Sequence, residues 1–101
     1  MNKVIRDGKV AVLISYGYGD GFYTWGAPVE AIFDPKLVEL VESEDYDGAL
    51  EYVKNTYPGT NTGGVSDLVI EWVDEGEDFI IIEYDGSETI QLKNETKWIR
   101  A

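Results

Sequence analysis

The segment Lys9 to Tyr16 places the first constraint on the fold. Val10, Val12, Ile14 and Tyr16 alternate with Ala11, Leu13 and Ser15, so an extended chain here is largely apolar on both sides. Such a strand must be covered on both faces and is expected at the centre of its sheet. It runs into Gly17-Tyr18-Gly19-Asp20-Gly21, where three glycines in five residues bar regular structure and admit positive φ or close approach by another group. Phe22-Tyr23-Thr24-Trp25 then brings three aromatics. Ala27 to Phe33 reads as a short strand that Pro28 confines to a sheet edge.

Asp34-Pro35 is a helix start: the carboxylate caps free N–H groups, and Pro occupies the first helical position, where no donor is needed. Leu37, Val38, Leu40 and Val41 then share one face, and Glu42-Ser43-Glu44-Asp45 ends the helix. A second helix is expected from Asp47 to Tyr57, with Ala49, Leu50, Val53 and Tyr57 buried and Pro58-Gly59 as its stop. Thr60-Asn61-Thr62-Gly63-Gly64 is a second polar, glycine-bearing loop. The remainder reads as a meander. Leu68, Ile70 and Trp72 line one face of a strand, Asp74-Glu75-Gly76 turns, and Asp78 to Tyr84 is a strand. Asp85-Gly86 is a two-residue hairpin signal, Ser87 to Leu92 returns, and Asn94-Glu95 turns into Lys97-Trp98-Ile99-Arg100. The expected fold is a single α+β domain over residues 1–101. It is a mainly antiparallel twisted sheet with two short helices inserted between the first strand and a C-terminal meander.

Composition narrows the chemistry. The chain has neither Cys nor His, which excludes disulfides, thiolate nucleophiles, Cys/His zinc sites and the side chain most used as a general base near neutral pH. No catalytic residue, metal or cofactor is therefore expected. Formal net charge is −12, unevenly spread. Residues 55–92 hold nine acids and no base, whereas residues 93–101 hold three bases and one acid. Lys3, Arg6, Lys9, Lys93, Lys97 and Arg100 lie near the termini, so a basic patch forms if the ends meet. Without a basic face, DNA and RNA are not expected partners. No apolar run reaches membrane-spanning length, and a cytoplasmic protein is expected.

The Gly17–Gly21 loop follows a strand but no helix begins after it, so it is not a dinucleotide-binding fingerprint. Its N–H groups could form an anion nest beside Tyr18, Phe22 and Trp25, whose rings could stack on a base; the same residues could equally anchor a core or a subunit interface. Asp74, Glu75, Glu77 and Asp78 lack calcium-loop spacing and read as a solvated turn. The acids read either as a solubilising surface or as mimicry of nucleic acid, with Asp67, Glu71, Glu83 and Glu88 on strands imitating phosphates. That leaves an acidic inhibitor of a host defence enzyme as the alternative function.

Two blocks carry a resemblance. Lys9 to Ser15 running into Gly17-Tyr18-Gly19-Asp20-Gly21-Phe22-Tyr23-Thr24-Trp25, and later Thr62-Gly63-Gly64, Asp67 to Val73, Glu75-Gly76 and Glu83-Tyr84-Asp85-Gly86-Ser87-Glu88, resemble the phage anti-Thoeris nucleotide sponges. Asp20 and Phe22 stand where that pattern has Ala and Trp. The resemblance implies a phage anti-defence protein in the host cytoplasm. It would bind a cyclic ADP-ribose isomer without cleaving it and assemble as a homo-oligomer, with the pocket near a subunit interface. Such a ligand calls for stacking, hydrogen bonds and a cation. The chain offers Tyr18, Phe22 and Trp25 for the first, Gly17, Gly19, Asn61 and Thr62 for the second, and Arg6 or Arg100 for the third.

Overall fold

The computed structural model describes residues 2–93 and 99–101. The order is β1 (Ile5–Arg6), β2 (Lys9–Ser15), α1 (Val29–Phe33), α2 (Pro35–Glu42), α3 (Tyr46–Thr56), β3 (Leu68–Asp74), β4 (Phe79–Tyr84) and β5 (Ser87–Leu92), with 3-10 turns at Tyr23–Trp25 and Val65–Asp67. The fold is α+β, and every strand pairing among the described residues is antiparallel.

β2 is the centre of the three-stranded sheet β1-β2-β3, and all its residues from Val10 to Ser15 are buried. Both side-chain parities are covered, as the doubly apolar pattern requires, with α1 and β5 packing against it. β1 is an addition to the expected fold. Asp7 and Gly8 both have positive φ, at 52° and 76°, which makes a primed hairpin turn and pairs Ile5 with Val10 and Arg6 with Lys9. Two residues are too few to show alternation.

The run after the aromatics is a helix, not the expected edge strand. Pro28 is extended (ψ 156°) and serves as the N-cap of α1, whose Ala31, Ile32 and Phe33 are all buried. Consecutive buried residues suit a helix lodged between layers better than an edge strand, which buries alternate positions. The other two helices form where expected, although Leu40, Leu50 and Tyr57 of their expected apolar faces are only half-buried and Tyr57 is the C-cap of α3. In α2, Asp34 Oδ1 accepts from Lys36 N and Leu37 N, Pro35 opens the first turn, and Leu37, Val38 and Val41 are buried. Glu44 with φ 59° reverses the chain, and Asp45 caps α3, burying Ala49 and Val53.

The strands after the helices divide between two sheets. β3 pairs with β2 from Lys9↔Asp74 to Ser15↔Leu68, whereas β4 and β5 form a separate hairpin. One continuous meander is thus corrected to a strand and a hairpin. The expected return through Asn94-Glu95 into Lys97-Trp98 lies outside the described residues, and Ile99 and Arg100 are in no strand. A single hydrophobic cluster joins β2, α1, α2, α3 and β3, with Phe79, Ile81, Ile90 and Leu92 of the hairpin packed against it.

Candidate functional site

Three loops meet at one end of β2. The Asp85-Gly86 turn is the predicted type, with φ of 48° and 85°, and it receives the first glycine loop directly. Gly19 N donates to Asp85 O at 2.6 Å, and Ser87 Oγ donates to Tyr16 O at 2.8 Å. The second glycine loop closes on the same segment. A Cβ on Gly64 would lie 2.6 Å from Asp20 O and 2.9 Å from Gly21 O, so only glycine lets the two loops touch there.

The loop is held by a residue that sequence reasoning assigned elsewhere. Glu88, on β5, is fully buried. Its Oε1 accepts from Ser15 N at 2.8 Å, and its Oε2 accepts from Phe22 N at 3.0 Å, Thr24 N at 2.8 Å and Thr24 Oγ1 at 2.7 Å. Four donors replace the water that a buried carboxylate would otherwise need. These donors flank the Gly17–Gly21 loop rather than belonging to it, and Gly19 N donates instead to Asp85 O, so the carboxylate is bound beside the expected nest and not by it. The same burial withdraws Glu88 from the set of strand acids offered as phosphate mimics. No sequence signal marks Glu88 as internal, because its donors come from a segment more than sixty residues away.

Glu83, opposite Glu88 across the hairpin, reaches the same loop. Its Oε2 accepts from Gly86 N at 2.7 Å and from the Trp25 indole N–H at 3.3 Å. Beside this contact lies a cleft of about 500 Å³ lined by Gly19, Trp25, Glu83, Asp85 and Gly86. A second cleft of about 280 Å³ is bounded by Tyr16, Tyr18, Ile82, Glu83, Tyr84, Ser87 and Thr89. Tyr18 is 76% exposed, Trp25 41% and Tyr84 74%. Tyr16 and Tyr84 were not among the expected binding residues; their role depends on the hairpin folding back over the strand end.

The expected residues separate into two groups. Gly19, Tyr18 and Trp25 line the clefts, and Gly17 lies at the loop's base against the Asp67 carboxylate. Phe22 does not join them: it is fully buried, a core ring that cannot stack on a ligand, which corrects its expected role. Asn61 Oδ1 accepts from Gly63 N at 2.8 Å, which commits the acceptor to its own loop, and Thr62 is half-buried. Neither lines either of these two clefts. Arg6 donates two hydrogen bonds to Glu42 at 2.5 and 2.8 Å and lies over the Trp72 ring at 5.4 Å. The Glu42 hydrogen bond holds the Arg6 pKa above its ordinary value and the Glu42 carboxyl below its own. Arg6 is thus committed elsewhere. Arg100 is exposed and follows residues 94–98, and it lines neither cleft.

Four of the six terminal bases have contacts of their own, and Lys97 lies outside the described residues. Lys9 faces Asp74 at 3.9 Å and Lys93 faces Asp78 at 3.7 Å, while Lys3 lies over the Phe33 ring at 4.6 Å. Neither cleft is lined by Lys or Arg. Asp20, whose carboxylate could have opposed a phosphate, packs against Gly63 and also lines neither cleft. The walls thus present aromatic faces, hydroxyls and carboxylate acceptors, a set suited to a planar base and to hydroxyl donors.

No helix among the described residues is long and apolar enough to cross a membrane. Compared with protein-family models, curated proteins and solved structures, the chain matches none.

Proposed function

We propose that this protein binds and holds a cyclic ADP-ribose-type signalling nucleotide without cleaving it, and so blunts Thoeris-type immunity in the cytoplasm of an infected bacterial host. The observation that carries the reading is the convergence of Tyr18 and Trp25, both exposed, with the carboxylates of Glu83 and Asp85 around the loop–hairpin junction. An adenine face stacks on an aromatic ring, and ribose hydroxyls donate to carboxylates. In this arrangement the two phosphates point away from the acidic wall, toward solvent or toward a cation from a neighbouring copy. The exposed Tyr16, Tyr18, Ile82 and Tyr84 give a second copy an apolar surface beside the pocket, which supports a homo-oligomer.

Calorimetry on the purified protein with each cyclic ADP-ribose isomer tests the proposal. Binding is expected, and Trp25→Ala should weaken it by about 1–3 kcal/mol, the value of one stacked base, or roughly 5- to 150-fold in Kd. No uptake of any isomer by the wild-type protein would overturn the reading. Native mass spectrometry of the same samples reads subunit number and bound mass together.

A further inference from the structure

The loop from Tyr16 to Gly26 carries the exposed rings yet contains only one short 3-10 turn, held by Trp25 N to Phe22 O and Gly26 N to Tyr23 O, each at 3.2 Å. Regular structure does not fix it. The backbone N–H groups of Phe22 and Thr24 instead point at Glu88, as does that of Ser15 at the end of β2. The carboxylate is fully buried, and no ion pair with a cation compensates it among the described residues. Hydrogen bonds alone stabilise its charge, so the loop and the carboxylate depend on one another. The neighbouring cross-strand acid completes the arrangement: Glu88 holds the loop backbone while Glu83 holds the Trp25 ring.

We propose that Glu88 is a positioning residue for the nucleotide cleft, and that the loop folds around it as a built carboxylate-binding site whose resident anion is this side chain. The positioning role rests on the proposed nucleotide-binding function; the carboxylate site itself does not. Removing the side chain leaves three N–H groups and one hydroxyl converging on an empty space of carboxylate size. A free monocarboxylate such as formate or acetate has the geometry to enter it and restore the loop.

The test uses the full chain with Glu88→Ala and the near-isosteric Glu88→Gln. Amide NMR shifts of Ser15, Phe22 and Thr24 report the loop directly, and calorimetry reports nucleotide affinity. In both variants these three amides should move well beyond the changes seen in α2 and α3. Nucleotide Kd should rise about tenfold or more, the equivalent of one charge-assisted hydrogen bond lost. Adding formate to Glu88→Ala should return the amide shifts and the affinity toward wild type, whereas chloride at equal ionic strength should not. A lowered melting temperature with unmoved loop amides and unchanged Kd would reduce Glu88 to a stabilising residue and overturn the positioning role. Failure of formate to act differently from chloride would overturn the anion site. Should Glu88→Ala not fold, the amide shifts of Glu88→Gln decide the matter. If wild-type protein takes up no nucleotide, the proposed function falls while amide shifts and formate response still judge the site.

Discussion

Asp34→Ala should be the most destabilising single exchange of a polar residue outside the cleft, and its cost can be assembled from separate contacts. Asp34 Oδ1 caps α2 through Lys36 N at 2.9 Å and Leu37 N at 3.2 Å. Oδ2 accepts from the phenols of Tyr52 at 2.7 Å and Tyr57 at 2.5 Å, tying the start of α2 to α3 and its C-cap. Loss of the cap costs about 1 kcal/mol. Each phenol bond contributes about 1 kcal/mol, the value of an ordinary hydrogen bond rather than the larger one of a fully buried charged acceptor, because water reaches the half-buried rings. The total is about 3 kcal/mol, which for a domain of this size lowers Tm by roughly 12–24 °C. Urea unfolding followed by circular dichroism measures it. Asp34→Asn keeps the cap through Oδ1 but puts an NH2 donor where both phenols need an acceptor, and should lose about 2 kcal/mol. In a Tyr52→Phe/Tyr57→Phe background, Asp34→Ala should cost only the cap, again about 1 kcal/mol, leaving a coupling of about 2 kcal/mol. An undiminished loss of about 3 kcal/mol in that background would refute the assignment of the tyrosines to Asp34.

The same cluster predicts an alkaline limit. Burial, followed by the hydrogen bond to Asp34, raises the pKa of both Tyr52 and Tyr57 above the ordinary phenol value. A raised phenol binds its proton more tightly folded than unfolded. Its contribution is therefore complete below pH of about 10 and is lost as pH rises toward the folded value. Phenolate absorbance titrated alongside ellipticity should show these two rings ionising last, with unfolding; early ionisation of all seven tyrosines in folded protein would contradict this. Gly64→Ala tests the contact between the glycine loops. The backbone there, with φ −89°, accepts alanine, so the collision of its Cβ with Asp20 O and Gly21 O should alone cost about 1–3 kcal/mol. An unchanged melting temperature would show that the loops separate freely.

Much of the secondary structure was legible because its causes are local. Asp34-Pro35 specifies a helix start through a side chain and the two or three residues beside it, and Asp85-Gly86 specifies a primed turn through its own φ values. β2 could be placed at a sheet centre because apolar residues on both parities have no other stable location. Where local signals were thin, expectation failed. Pro28 is compatible with an edge strand and with a helix N-cap, and only the packing of Ala31, Ile32 and Phe33 chose the helix. β3 has two edges open to pairing, and in the fold it pairs with the distant β2 and not with the adjacent β4, a choice that no local signal records.

The candidate site divides the same way. Its materials were visible in the chain: glycines that permit close approach, aromatics beside them, no His or Cys to act on a bound molecule. Their arrangement was not. Phe22 and Trp25 are three residues apart and chemically alike, yet one ring is in the core and the other lines a cleft. Glu83 and Glu88 read as equivalent strand acids, yet one borders the cleft and the other is sealed beneath the loop. Sequence determines which groups can donate, accept, stack or bend, since those are properties of single residues and short spacings. Tertiary structure decides which of them lose water and which partner they meet. Desolvation and hydrogen-bond geometry depend on chain segments brought together from opposite ends of the sequence.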